Sequence, residues 1–269
     1  MFVATASLQA AQGPTTRQWT VDGVTRQAII VAPDSAKTDA SPLIFAFHGH
    51  SGTMQQFSRL AFEKAWPQAI VVYPQGLPTP GRLVDKEGKL SGWEALPGDQ
   101  DDRDLKFFDA MLESLKKDYK IDPARIYATG HSNGGSFTYV LWRARGDEIT
   151  AFAPASTAFP AFLKHPDAPA ITAADLPNVA LRPVLHMAGK NDPLVKFAWQ
   201  ERTIDTVRTI NHCTQGKPWD DHKQCTIYPS PDSAPVITYL HENRHGLPPD
   251  ARDVIVKFFK EFPAATTQP

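Results

Sequence analysis

Cysteine is scarce in this chain. Cys213 and Cys225 are the only two in 269 residues, so at most one intramolecular bridge is available. Neither sign of charge is in surplus: 28 Lys and Arg face 29 Asp and Glu, for a formal net charge of −1. With no basic run as well, nucleic acid and anionic membrane surfaces are excluded as expected partners. No apolar stretch approaches the ~20 residues that a membrane-spanning helix needs. Internal repeats are missing, and so is any linker long enough to separate two domains. What is present is ordinary for a soluble globular protein, 42% hydrophobic and 21% charged. The 24 prolines fall mostly between expected elements, which argues for ordered loops over a rigid core.

The cysteines lie 12 positions apart around a polar, turn-rich segment containing Gln215, Gly216, Lys217 and Pro218. A disulfide closing that loop is expected, in preference to two independent thiols, and implies a secreted or periplasmic location. Residues 1–16 read as a signal remnant or flexible N-terminus, small and apolar but without a basic leader. Residues 17–263 read as a single catalytic domain and 264–269 as a tail.

Strand and helix signals alternate along that domain. Residues 17–31 are β-rich around Asp22 and Gly23, a hairpin signal. Continuous apolar runs at 42–47 and 69–73 suit strands buried on both faces. A helix is expected over 54–66, and another opens at Asp104 as cap, with Phe107, Phe108, Met111, Leu112 and Leu115 at helical spacing. Further strands are expected at 125–129, 149–154, 183–188 and 236–240, with helices over 196–210 and 249–262. Residues 74–101 form a long loop, and 155–182 show no clear period. This order predicts a mostly parallel, doubly wound α/β sheet with helices on both faces. In such sheets the chemistry sits at the carboxyl ends of the strands.

The most informative stretch is Gly130-His131-Ser132-Asn133-Gly134, set between an apolar strand and an apolar-periodic helix. Strand, sharp turn and helix make Gly-x-Ser-x-Gly a nucleophile elbow, and the glycines let strand and helix approach closely. Ser132 is therefore the candidate nucleophile. A serine hydroxyl needs an imidazole to remove its proton, and the imidazole needs a carboxylate on its other nitrogen. Asp192 and His245 follow in the required order, each just past a later strand. His241 ranks behind His245 because it still belongs to the strand, and Asp175 and Asp205 rank behind Asp192. Two backbone N–H donors are needed for the oxyanion. Asn133 supplies one, and the loop after the 42–47 strand supplies the other at His50, with Ser51 as the alternative. His48, His50 and His131 lack an acidic or cysteine partner at metal-site spacing, so neither metal nor cofactor is expected.

His48-Gly49-His50, Gly92-Trp93, the approach from Ile121 to Gly130, Ser132-Asn133-Gly134-Gly135 and the late His245 resemble the polyhydroxybutyrate depolymerase/feruloyl esterase group. These are secreted α/β-hydrolases related to carbohydrate esterase family 1, and the likeness covers about residues 25–262. The resemblance implies hydrolysis of feruloyl or acetyl esters on xylan, or of short polyesters, and supports the bridge between Cys213 and Cys225. The chain departs from the group in having His50 where relatives often have cysteine. It also has Glu242-Asn243-Arg244 before the histidine and Gly246-Leu247-Pro248 after it. Trp93, Phe159 and Phe162 are the candidates for holding an aromatic acyl group. The substrate is thus a small or polysaccharide-linked ester. The competing class is a non-catalytic binding protein on the same fold.

Overall fold

The computed structural model describes residues 13–81, 83–159, 179–220 and 222–264. Asp22 and Gly23, both at positive φ (49° and 78°), turn the chain between β1 (Thr15–Val21) and β2 (Val24–Val31). The first apolar run becomes β3 (Ser41–Phe47), buried throughout. The helix expected over 54–66 breaks into α1 (Met54–Phe57) and α2 (Phe62–Ala65), because Ala61 takes a left-handed φ of 54° between them. Next come β4 (Ile70–Pro74) and a short antiparallel pair inside the long loop, β5 (Leu77–Pro78) and β6 (Ser91–Gly92). Helix α3 (Arg103–Asp118) follows. Asp104 does not cap it; its carboxylate is buried and pairs with Arg26 at 2.7 Å. The remaining elements are β7 (Ile121–His131), α4 (Asn133–Arg145), β8 (Ala151–Ala155), β9 (Val184–Gly189) and α5 (Phe197–Ile210). After these come β10 (Lys217–Pro218), β11 (Cys225–Tyr228), β12 (Val236–His241) and α6 (Ala251–Glu261).

Ten strands form one sheet in the order β1-β2-β4-β3-β7-β8-β9-β12-β11-β10. The six from β4 to β12 are mutually parallel, and an antiparallel pair flanks each edge. Side chains alternate between two apolar layers: Ala28 and Ile30 enter one, Ile29 and Val31 the other. Helices α3, α4 and α5 cover the first layer, while α2 and α6 cover the second. The chain steps from β3 outward to β4 and then returns to β7 on the other side of β3. That reversal opens a crevice at the carboxyl ends of β3 and β7, where doubly wound sheets bind ligands. Among the described residues no helix is long and apolar enough to cross a membrane.

The expected disulfide is absent: Cys213 and Cys225 are both free thiols. The reason is topological. Cys213, just past α5, packs against the layer under α3, α4 and α5, whereas Cys225 opens β11 within the layer under α6. The sheet separates them, and burial pushes the Cys225 thiol up to about 12.

Candidate active site

Strand β7 passes into α4 through Ser132, whose φ of 56° and ψ of −117° are strained for a residue with a Cβ. Two backbone bonds hold the turn: Ser132 N–H donates to Ala155 O (2.8 Å), and Ser136 N–H donates to Ser132 O (2.8 Å). Helix α4 starts hard against β3. A Cβ on Gly134 would lie 2.3 Å from the Phe47 carbonyl oxygen and 2.5 Å from that of His48. Both obstacles are backbone, so only glycine fits.

Three side chains from separate strand ends meet there. His245 Nε2 is 2.9 Å from Ser132 Oγ, and His245 Nδ1 is 2.7 Å from Asp192 Oδ2. Asp192 is 6% exposed, and its oxygens are well supplied with donors. Oδ1 accepts from the N–H groups of Leu194 (2.8 Å) and Val195 (2.9 Å), and Oδ2 also accepts from Gln200 Nε2 (3.3 Å). Burial works to raise its pKa, but the bond from His245 and the two backbone donors prevail and leave it below the usual carboxylate value. Of the rivals, Asp205 pairs with Arg208 on α5, and Asp175 lies outside the described residues. His241 pairs with Gly189 in the sheet as the last residue of β12.

The other histidines near the elbow are occupied in different ways. His48 is buried and uses both ring nitrogens on backbone, with Nδ1 toward Gly49 O (2.7 Å) and Nε2 accepting from Gly76 N–H (3.0 Å). His131 lies with its ring centre 4.9 Å from that of His245. Burial first, and the neighbouring His245 second, push His131 down to about 4, so it adds no charge beside His245 at neutral pH.

Of the two N–H candidates after β3, that of Ser51 is spent on Ser91 O at 2.7 Å, which favours His50. The N–H of Asn133 belongs to the first turn of α4, where helical N–H groups lack an acceptor within the helix. The Asn133 side chain clamps Trp93 instead: Oδ1 accepts from Trp93 N–H (2.7 Å), and Nδ2 donates to Trp93 O (3.0 Å).

That clamp corrects the expected role of Trp93. Its ring is 1% exposed, donates to His48 O, stacks on Phe137 and meets Phe47 edge to face, so it is core rather than pocket wall. Phe159 is likewise core, 6% exposed and packed against Tyr139. Phe162 lies outside the described residues. The cavity at Ser132 has a volume of about 80 Å³ and is lined by His50, Asn133 and His245 beside the serine. Ser136 and Thr157 also border it, and its large aliphatic walls are Leu83 and Val84 from the loop between β5 and β6, and Leu194 and Val195 from the loop after β9. Sequence reasoning missed these four and also Gln200, since a glutamine within an amphipathic helix gives no sign that it points at a carboxylate.

The sheet order, the elbow and the strand-end placement of these groups define an α/β-hydrolase fold. Solved structures agree on the fold. The acetyl xylan esterase from Aspergillus awamori superposes with a TM-score of 0.65 at 13% identity, covering 91% of this chain and 99% of that one. No family model matches the chain. Among curated proteins, it is 26% identical over 197 residues to a bifunctional acetylxylan esterase/xylanase of Neocallimastix patriciarum, covering 71% of this chain and 25% of that protein. It is 29% identical over 127 residues to a probable feruloyl esterase C of Aspergillus oryzae, covering 47% of this chain and 44% of the relative. With feruloyl esterase D of Neurospora crassa the identity is 27% over 219 residues, 77% of this chain and 64% of the relative. The chain therefore spans from a quarter to just under two thirds of the length of these relatives. These relatives carry the names acetylxylan esterase and feruloyl esterase, and the chain is similar to them at 26–29% identity.

Proposed function

We propose that the protein is a serine carboxylic-ester hydrolase with Ser132 as nucleophile, His245 as general base and Asp192 as its orienting carboxylate. The observation that carries this reading is the unbroken line from Asp192 through His245 to Ser132, with spacings of 2.7 and 2.9 Å, opening into a cavity. Ser132 Oγ attacks the ester carbonyl while its proton passes to His245 Nε2. The N–H groups of His50 and Asn133 receive the oxyanion, each contributing ~3–4 kcal/mol to the transition state. His245 returns the proton to the departing alcohol, and water then releases the acyl group by the same steps in reverse.

Feruloyl esters of the plant cell wall are the leading substrates on the strength of the similar esterases, and acetylated xylan is the second reading because one relative carries that name. Esters carried on cell-wall polysaccharide do not cross membranes, so on this reading the enzyme acts outside the cytoplasm. The test compares release of ferulate from methyl ferulate with release of acetate from acetylated xylan, using wild type and Ser132→Ala. The reading expects ester cleavage that disappears in the variant. Cleavage that persists in folded Ser132→Ala contradicts it.

A further inference from the structure

The loop between β5 and β6 projects as an arm (residues 79–81 and 83–90) toward Ser132. Leu83 and Val84 line the cavity, yet they are 41% and 61% exposed. Large apolar side chains left in water beside a reacting group normally have a ligand to cover them. The arm is also tied down at one point. The main chain of Asp85 receives the N–H of Gly81 at 2.6 Å and of Gly88 at 3.2 Å. Its carboxylate receives the N–H of Leu90 at 2.8 Å and faces His50 Nε2 at 3.2 Å. Neither side chain of the His50–Asp85 pair is more than 10% exposed. The imidazole has no room to move, because Cβ atoms on Gly81 and Gly92 would come within 3.0 and 2.7 Å of it. His50, whose N–H is assigned to the oxyanion, thus ties the arm to the site of reaction.

We propose that Asp85 is a positioning residue that, through His50, fixes an aliphatic arm over Ser132 so that Leu83 and Val84 bind the acyl chain of the ester. This rests on the serine-hydrolase reading above. The choice of the acyl side follows from proton transfer. The alcohol leaves with the proton of His245, so it occupies the side bordered by His245 and by Leu194 next to Asp192. The arm is clasped to His50, beside the carbonyl oxygen that stays with the acyl group. A methylene seated on such a surface changes binding ~4-fold.

The test is kcat and KM for a series of nitrophenyl esters, from acetate to hexanoate, with one constant leaving group. For Asp85→Ala, the ratio of hexanoate to acetate kcat/KM is expected to fall about tenfold, mainly through KM for hexanoate. Asp85→Asn, whose amide oxygen can replace the one carboxylate oxygen that faces both Leu90 N–H and His50 Nε2, is expected to restore most of that ratio. A merely structural role for Asp85 would lower both esters alike and leave the ratio unmoved. Val84→Ser changes a side chain already exposed to water, so its folding is not at issue, and its ratio is expected to fall severalfold. Unchanged ratios in Asp85→Ala and Val84→Ser, in an enzyme that hydrolyses both esters, overturn the inference and leave the hydrolase reading standing. A selectivity change seen only when the alcohol is varied overturns it too. Wild-type protein that cleaves no ester overturns the hydrolase reading and this inference together.

Discussion

Replacing Asp192 with asparagine separates the orientation of His245 from the backbone bonds that hold the carboxylate. Asp192 Oδ1 holds two backbone N–H groups, Leu194 at 2.8 Å and Val195 at 2.9 Å, so an asparagine keeps its oxygen there. Its amide nitrogen must then take the place of Oδ2, facing His245 Nδ1 across a 2.7 Å contact. Two donors cannot share that contact, so His245 turns to the tautomer with the proton on Nε2. In that form it cannot accept the proton of Ser132 Oγ, 2.9 Å away. Wrong-tautomer substitutions of this kind cost ~10⁴-fold in kcat, or about 5 kcal/mol of transition-state stabilisation. Stability should hardly move, because Leu194 and Val195 keep their acceptor and Gln200 Nε2, which loses Oδ2, keeps the Val195 carbonyl at 2.8 Å. Asp192→Ala strands both N–H groups and should in addition cost ~1–3 kcal/mol in stability. The assay is kcat/KM on nitrophenyl acetate beside a urea unfolding curve. A loss below tenfold in folded Asp192→Asn refutes the reasoning.

Gly134→Ala forces a Cβ to within 2.3 Å of the Phe47 carbonyl, which moves α4 and the Asn133 N–H away from β3. A loss of ~100-fold in kcat with KM little changed is expected, since a 1 Å misplacement has that scale of effect; wild-type kinetics would refute the close approach. Burial holds His131 and His186 at about 4 rather than 6.5, so in that window the folded protein binds fewer protons than the unfolded chain. Stability from these groups is therefore lost as pH falls from about 6.5 to about 4, at ~1.4 kcal/mol per pH unit for each, which urea midpoints across that range will measure. Glu94 runs the opposite way: burial pushes it up from 4.5 to about 8, so its contribution is lost as pH rises through that window. Glu94→Gln should gain stability over wild type between pH 5 and pH 8 by about a few kcal/mol, and parallel curves would contradict the buried carboxyl. Reducing agent should leave the melting temperature unchanged and both thiols open to alkylation after unfolding; a peptide linking Cys213 to Cys225 would contradict their separation by the sheet.

The parallel strands were legible because burial on both faces leaves continuous apolar runs, as in 42–47 and 69–73. The elbow was legible because its steric demand falls on Gly130 and Gly134, whose identity is visible in sequence. Asp192 and His245 were singled out by their order and their positions after strands, and the structure brings both side chains to Ser132. What escaped detection depends on packing between distant segments. Nothing local distinguishes Trp93 in the core from Trp93 in a pocket; its burial comes from Asn133, Phe47 and Phe137. Cys213 and Cys225 are close in sequence but separated by the sheet, because β10 in the intervening segment pairs along its edge with β11, which Cys225 opens. Asp104 resembled a cap because an aspartate oxygen can accept a free N–H of the first turn, but its carboxylate is held by Arg26, 78 residues away in sequence.

The central claim is that Ser132 forms the covalent acyl intermediate, and a fluorophosphonate, which traps activated serines, tests it most directly. Digestion and mass measurement of the labelled protein should place one adduct on the peptide carrying Ser132, with ester hydrolysis lost in step with labelling. The label should fail to attach to Ser132→Ala or to His245→Ala. Full ester turnover in protein unlabelled at Ser132, or an adduct on a different residue that tracks the loss of activity, would contradict the account.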